Sequence, residues 1–244
     1  MTAPDKLDDE IPVEIDFADG VRGNFFRPDS RLSEEIFVKQ TLTPFLAERG
    51  VHVESPIVLW TKRHDAGGGF RGGVSNWTQI KKSLLPLTYD ADAWVTTLLD
   101  FHGLPDDFPG YAEARGQGQP HDNVIALQER FAAEIGRPRL IPFIALHEFE
   151  AWLFTAPDIV ATHFGNAGLS DRVKRAVVQA GSPELINHGE NTHPKARLQG
   201  MATGYKETSD GPTLMAKIGI PAIRASCPHF ATWLARLEAL GQEE

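Results

Sequence analysis

The sequence predicts an α/β fold: a parallel or mixed sheet flanked by helices, with a helix-rich C-terminal cap. Three observations predict it. "AWVTTLLDF" (Ala93–Phe101) and "RLIPFIAL" (Arg139–Leu146) are apolar on both faces, as expected of strands buried in a parallel sheet. Between them "HDNVIALQERFAAEIG" carries the spacing of an amphipathic helix, which serves as the crossover that parallel strands require. Beyond the second strand the patterns are helical, so the last hundred or so residues form the cap.

The elements follow in order. Residues 1–32 form an N-terminal arm: "MTAPDKLDDE" is an acidic, partly disordered tail, and the glycine- and proline-containing stretch after it is an irregular arm or hairpin. A single domain spans 33–244. Its first helix starts at Ser33, a capping hydroxyl followed by Glu34 and Glu35, and stops at Gly50. "VHVESPIVLW" is a strand candidate leading into the basic, glycine-rich loop "TKRHDAGGGFRGGVSNW". A short helix runs from Trp77 to about Leu87, and the crossover helix is capped by Asp122 and ended by Gly136. The second strand flows into a helix "HEFEAWLFT"; further helices cover 170–180, the stretch from about Lys195, and "FATWLARLEAL".

Composition narrows the function classes. The formal net charge is −9, from 33 acidic and 24 basic residues, which argues against binding nucleic acid mainly by covering phosphates. It leaves room for a nuclease, whose metal site is itself acidic. The single cysteine, Cys227, can form no internal disulfide and no thiolate metal cluster, and there is neither a signal peptide nor a long apolar run. A cytoplasmic protein without membrane contact is the expectation.

The chemistry concentrates where the strands end. Asp100 closes the first strand, and the second hands over to His147, Glu148 and Glu150 among large hydrophobic residues. In an open α/β sheet those carboxyl ends form the ligand crevice. On a helix His147 and Glu150 share a face aimed at Asp100, while Glu148 points elsewhere. Carboxylates so opposed repel unless a proton or a cation sits between them, and an oxygen-rich pair of Asp100 and Glu150 suits Mg²⁺ or Mn²⁺. Two readings of Glu150 stay open: metal ligand, or partner of an arginine such as Arg71 or Arg139. Lys62, Arg63 and Arg71 around the glycine loop offer phosphate contacts, although the loop matches no phosphate-binding fingerprint. "NTHPKARL" places Thr192 as a helix cap with Lys195 and Arg197 in the first turns, a second anion contact. In "CPHF" (Cys227–Phe230), Pro228 and His229 open the last helix.

These segments resemble the bacterial domain-of-unknown-function family 4276, itself similar to Toprim-like domains. The matching pieces are "SEEIFVKQTLTPFLAERGVHV", "RGGVSNW", "DADAWVTTLLDFHGLPDDFPGY", "RLIPFIALHEFEAWLF", "SPELINHGENTHPKARL" and "ASCPHFATWLARLEAL", so the likeness covers about 33 to the C-terminus. It implies a Toprim-like core with metal-binding acids at strand ends and phosphodiester chemistry. On that basis Asp100 and Glu150 hold Mg²⁺ or Mn²⁺, His147, Glu148 and Glu150 act as catalytic groups, and Arg71, Lys195 and Arg197 contact phosphate. The resemblance also implies a role in phage defence, nucleic acid as substrate, and an ATPase encoded nearby as partner. The chain departs from the family where "VEGxTEE" is expected and "PDSRLSEE" stands: Ser30 replaces the first glutamate and Arg31 the glycine. "DFH" likewise puts His102 where a Toprim domain has a second aspartate. "IDFADGVRGNFFRPDSRL" is similar instead to the N-terminal segment of small antitoxin-like proteins. The loss of that glutamate opens a second reading, a catalytically degenerate regulatory or scaffold subunit that binds the ATPase.

Overall fold

The computed structural model describes residues 32–62, 69–71, 76–116, 118–186 and 193–242. The N-terminal arm up to residue 31, most of the glycine loop with Arg63, and Thr192 lie outside these residues.

Helix α1 (Ser33–Phe37) passes through a π turn (Val38–Leu42) into α2 (Thr43–Ala47). The π turn has a local cause. Pro44 has no N–H and its ring crowds the carbonyl one turn back, and the ladder shifts just before it, with Thr43 N–H bonding Val38 C=O five residues away. Gly50 closes the stretch at φ +79. Ser33 does not cap its own helix: the N-cap is Leu32, and the Ser33 hydroxyl donates to Glu207 C=O at 2.7 Å.

Residues 51–59 form no strand. Val51 and Val53 pack on the core, and backbone pairing begins only at β1 (Trp60–Lys62), antiparallel to β2 (Gly69–Arg71). Helix α3 (Trp77–Leu84) is capped by the Asn76 side chain, which accepts from Gln79 N–H at 2.9 Å.

The two buried strands each form in two pieces. β3 (Val95–Thr96) pairs parallel with β5 (Leu140–Ile141), and β4 (Leu99–Asp100) with β6 (Ile144–Ala145). Pro142, lacking an N–H, lies in the gap, and Thr97 fills it with its side chain. Its Oγ1 accepts from Phe143 N–H at 2.9 Å and bonds Phe143 C=O at 3.0 Å. Between the strands come α4 (Tyr111–Ala114) and the crossover helix α5 (Pro120–Ile135); Gln119, not Asp122, is its N-cap, because Pro120 takes the first helical position. Alternate residues of the second strand face opposite cores. Ile141, Phe143 and Ala145 pack with Phe37, Trp152 and Trp233, whereas Leu140, Ile144 and Leu146 pack with Leu127 and Phe131 of α5. This double burial explains the continuous apolar run.

The α/β class with a helix-rich C-terminal part therefore holds, around a narrow parallel ribbon. After the 3₁₀ segment Phe149–Thr155 come α6 (Pro157–His163), α7 (Ala167–Ala180), α8 (Pro194–Met201), α9 (Glu207–Ser226) and α10 (Pro228–Ala239). Proline and glycine obscure α9 in the sequence: it contains Pro212 and Pro221 and is kinked at Gly219, φ +76. Among the described residues no helix is long and apolar enough to cross a membrane.

Candidate active site

Parallel pairing sets Asp100 opposite Ala145, so the chain leaving β6 starts beside that carboxylate. Phe149 N–H then donates to Asp100 Oδ1 at 3.1 Å and ties the 3₁₀ segment to the strand end. The segment is held from below by aromatic packing: Phe149 and Trp152 meet Phe37 at ring separations of 5.5 Å each, and Trp152 meets Phe230 at 4.8 Å. Truncating one such ring costs about 3–5 kcal/mol, so the platform is stiff. Glu150 rides on it, only 4% exposed.

Other elements bring further acids. Glu34, in the first turn of α1, faces Glu207 and Lys195, and its charge is felt at Asp100 and Glu150. Its neighbour Glu35 turns away and pairs with Lys39 at 2.9 Å. Glu207 opens α9, held against α1 by the Ser33 hydroxyl bond to its carbonyl. Close approach there depends on Gly211, where a Cβ would lie 3.3 Å from both Ser33 Oγ and Tyr205 Oη. The Tyr205 hydroxyl is buried beside Glu150 without a hydrogen bond of good geometry, and burial with the Glu150, Glu207 and Asp210 charges holds the phenol protonated.

The electrostatics are those of acids forced together. Burial, then Glu34, Glu150 and Glu148, push Asp100 well above the usual carboxylate range; the Phe149 amide only partly offsets this. Asp100 keeps some solvent-exposed surface, yet it is so deeply surrounded by protein atoms that desolvation dominates. Glu150 is pushed up to about 8 by burial first and then by Glu207, with Glu148 and Glu34 adding. Glu34 is raised by burial and Glu207, against the pull of Lys195. Burial disfavours the Lys195 ammonium, but its ion pair with Glu207 and the charges of Glu150 and Glu148 prevail and raise its pKa.

The structure thus gathers Asp100, Glu148, Glu150 and Lys195 of the sequence-predicted site. It corrects how the "HEFE" block is arranged. His147 and Glu148 precede the helical segment, and Glu148 is extended at φ −143, ψ 155, so the shared helical face of His147 and Glu150 does not exist. Glu148 points into the site, where its Oε2 meets His193 Nδ1 at 2.9 Å and Lys195 N–H at 3.1 Å. His147 is buried and stacks on His102 at 5.5 Å. The arginine reading of Glu150 loses one partner: Arg139 lies over Trp94, before β5 and at the other end of the ribbon. Arg71 is on β2, its side chain outside the described residues, and Arg197 is on α8.

Sequence reasoning gave no site role to His193, Tyr205 and Glu207; Glu34 and His102 it met only as positions in the family motif. His193 left a local signal: it precedes Pro194 at the first position of α8, so it, and not Thr192, stands at the N-cap position of that helix. All the acids offer hard oxygen donors of the kind Mg²⁺ and Mn²⁺ prefer. Among the described residues no three metal-ligating side chains close round a common point. Mg²⁺ needs no such cage, since it commonly takes one or two carboxylates and keeps waters or substrate oxygens.

No curated protein and no solved structure matches the chain. The family model described as Domain of unknown function (DUF4276) matches residues 32–238, which contain every acid of the site. The chain belongs to the DUF4276 family.

Proposed function

We propose that the protein is a metal-dependent phosphoesterase or nuclease of Toprim-like type. The observation that carries this reading is that Glu34, Asp100, Glu148, Glu150 and Glu207 lie near enough to the strand end and to Lys195 for their charges to act on one another. Mutual repulsion and desolvation are unfavourable in a purely structural cluster, and a divalent cation relieves both. Asp100 and Glu150 would hold the ion, which when bound polarises a phosphoryl oxygen and acidifies a water. Glu34 supplies a carboxylate from the start of α1 where the expected motif has lost its own at Ser30. Lys195, paired with Glu207 beside the acids, would attract a phosphate when a cation draws Glu207 away. The acidic cluster repels a polyanion, so a nucleic acid substrate would depend on the bound cation for its approach. The role in phage defence with an ATPase partner rests on the family resemblance alone, and the cytoplasmic setting on the single cysteine and the composition.

The test is cleavage of plasmid and single-stranded DNA by the full chain with Mn²⁺ or Mg²⁺. Asp100→Asn and Glu150→Gln are expected to lower it roughly 10³-fold or more, because several kcal/mol of charge stabilisation go with the ion. Calorimetry should show Mn²⁺ binding to the wild type and its loss in Asp100→Asn. Unchanged cleavage by both variants overturns the assignment. A chain that neither binds Mn²⁺ nor cleaves, and that copurifies with an ATPase, is instead the scaffold subunit.

A further inference from the structure

We propose that Glu148 and His193 form a proton-transfer dyad in which His193 Nε2 is the base for the water that attacks the phosphoester. The inference deepens the phosphoesterase reading and rests on it.

Three features of His193 support the assignment. Its Nδ1 lies 2.9 Å from Glu148 Oε2 and 3.4 Å from Ala196 N–H. The two contacts make opposite demands, a proton on Nδ1 for the carboxylate or a lone pair for the amide. The shorter, charge-assisted contact prevails, because a lone pair facing a carboxylate at that distance is repulsive. Nδ1 therefore carries the proton and donates it to Glu148, which leaves the Nε2 lone pair to accept another. Nε2 has no hydrogen-bond partner among the described residues, and the side chain is 30% exposed.

The ring is also held in place. Glu148 is fixed by a second bond, from Lys195 N–H at 3.1 Å, and Pro194 sets the backbone that follows His193. His102, two residues beyond Asp100, feels the charges of both Glu148 and His193, so the dyad lies beside the strand end that carries Asp100. The charged groups facing it are Glu148, Lys195 and His102, with Arg115 beyond His102. Two other histidines, His163 and His229, differ. His163 has both ring nitrogens engaged, by Asp210 at 2.9 Å and Lys217 at 3.2 Å. His229 is buried, bonds Ile144 C=O at 2.9 Å and is pushed down to about 4 by that burial. Neither offers an open nitrogen beside the acids.

In the reaction Nε2 takes one proton from water as the water oxygen bonds to phosphorus. The ester P–O bond breaks with its electron pair on the leaving oxygen, which is protonated from solvent, and the imidazolium returns its proton to solvent. One water is consumed, and a phosphodiester becomes a phosphomonoester and an alcohol. Glu148 acts as a positioning residue through the imidazole.

The experiment compares the wild-type full chain with His193→Ala, His193→Asn and Glu148→Gln on a phosphodiester with Mn²⁺. Asparagine is a favourable N-cap residue, so it removes the base while leaving the helix start well supported. Both His193 variants are expected to lose about 10²–10⁴-fold in kcat, the usual worth of a general base, with KM and Mn²⁺ binding little changed. They should also lose the acidic limb of the pH–rate profile, and added imidazole should partly restore His193→Ala. Glu148→Gln should lower kcat with KM spared. Cleavage at the wild-type rate by His193→Asn, or a loss in His193→Ala that imidazole does not rescue, overturns the dyad alone. A wild-type chain that cleaves no phosphodiester removes the parent reading and the dyad with it.

Discussion

Glu184 and Glu150 are equally withdrawn from water, each 4% exposed, yet their surroundings act on them in opposite directions. Glu184, in the short turn Pro183–Leu185, accepts from His229 N–H and Phe230 N–H at 2.9 Å each. Those amides belong to the first turn of α10, where helix donors lack intrahelical partners and the dipole favours a negative charge. Burial raises the Glu184 pKa and both amides pull it back, leaving it at about 7. For Glu150 burial is followed by Glu207, Glu148 and Glu34, all pushing the same way, with only its own backbone bond opposing. The comparison separates a buried acid that is complete as a structural cap from one that calls for a proton or a cation.

The comparison can be broken by stability measurements on the metal-free protein. The largest effect is expected for Glu184→Ala, which strips two buried amides of their acceptor. It should cost about 3–5 kcal/mol in denaturant unfolding. A cost below that of an ordinary surface substitution would remove Glu184 from the structural class.

Glu150→Gln should do the reverse, and its sign follows from linkage. The folded pKa of about 8 lies above the ordinary 4.5, so the folded state binds the extra proton more tightly. That contribution is fully present below about pH 4.5, and is lost as pH rises to about 8. Glutamine mimics the protonated acid at every pH. Wild type and variant should melt alike near pH 5, while near pH 9 the variant should be more stable by on the order of 3 kcal/mol. Saturating Mn²⁺ should narrow that gap by stabilising only the wild type. A gap that does not change with pH would contradict the electrostatic account.

The smallest effect sharpens the geometry of the site. Gly211→Ala brings a methyl group to 3.3 Å from Ser33 Oγ and Tyr205 Oη, between α1 and α9. About 1 kcal/mol of destabilisation is expected from such overpacking. If the helix contact sets the Glu34–Glu207 approach, Mn²⁺ affinity should fall by more than that loss of stability explains. Calorimetry at a temperature where the variant remains folded makes the measurement.

The strands and their polarity were legible because burial on both faces leaves an uninterrupted apolar run, and Asp100 marked the end of one. Their short pairing was less legible, since the exchange between Thr97 and Phe143 replaces ladder bonds with side-chain bonds. Residues 51–59 have a strand's alternation but lack a paired neighbour, and hydrophobic spacing alone does not reveal that. Helix α9 was hidden because Pro212, Gly219 and Pro221 lower local propensity while tertiary packing of Leu214, Met215 and Ile218 sustains it. Within the site, Asp100, Glu148 and Glu150 stood out as charges set in apolar surroundings. Glu148 was misdirected because a helical period was applied to an extended stretch.

By itself the sequence determined the class of fold, the strand ends that carry acids, and the departure at Ser30 from the expected glutamate. Local spacing and apolar runs encode these, and neighbouring residues suffice to read them. Only the tertiary structure decided that Glu34 turns inward while Glu35 pairs with Lys39, and that Glu207 and His193 join them from distant segments. Those choices depend on helix α1 packing against α9 through Ser33 and Gly211, and on α8 placing its N-terminus over Glu148. Contacts between residues far apart in the chain leave no periodic trace, so the electrostatic character of the crevice emerges only on folding.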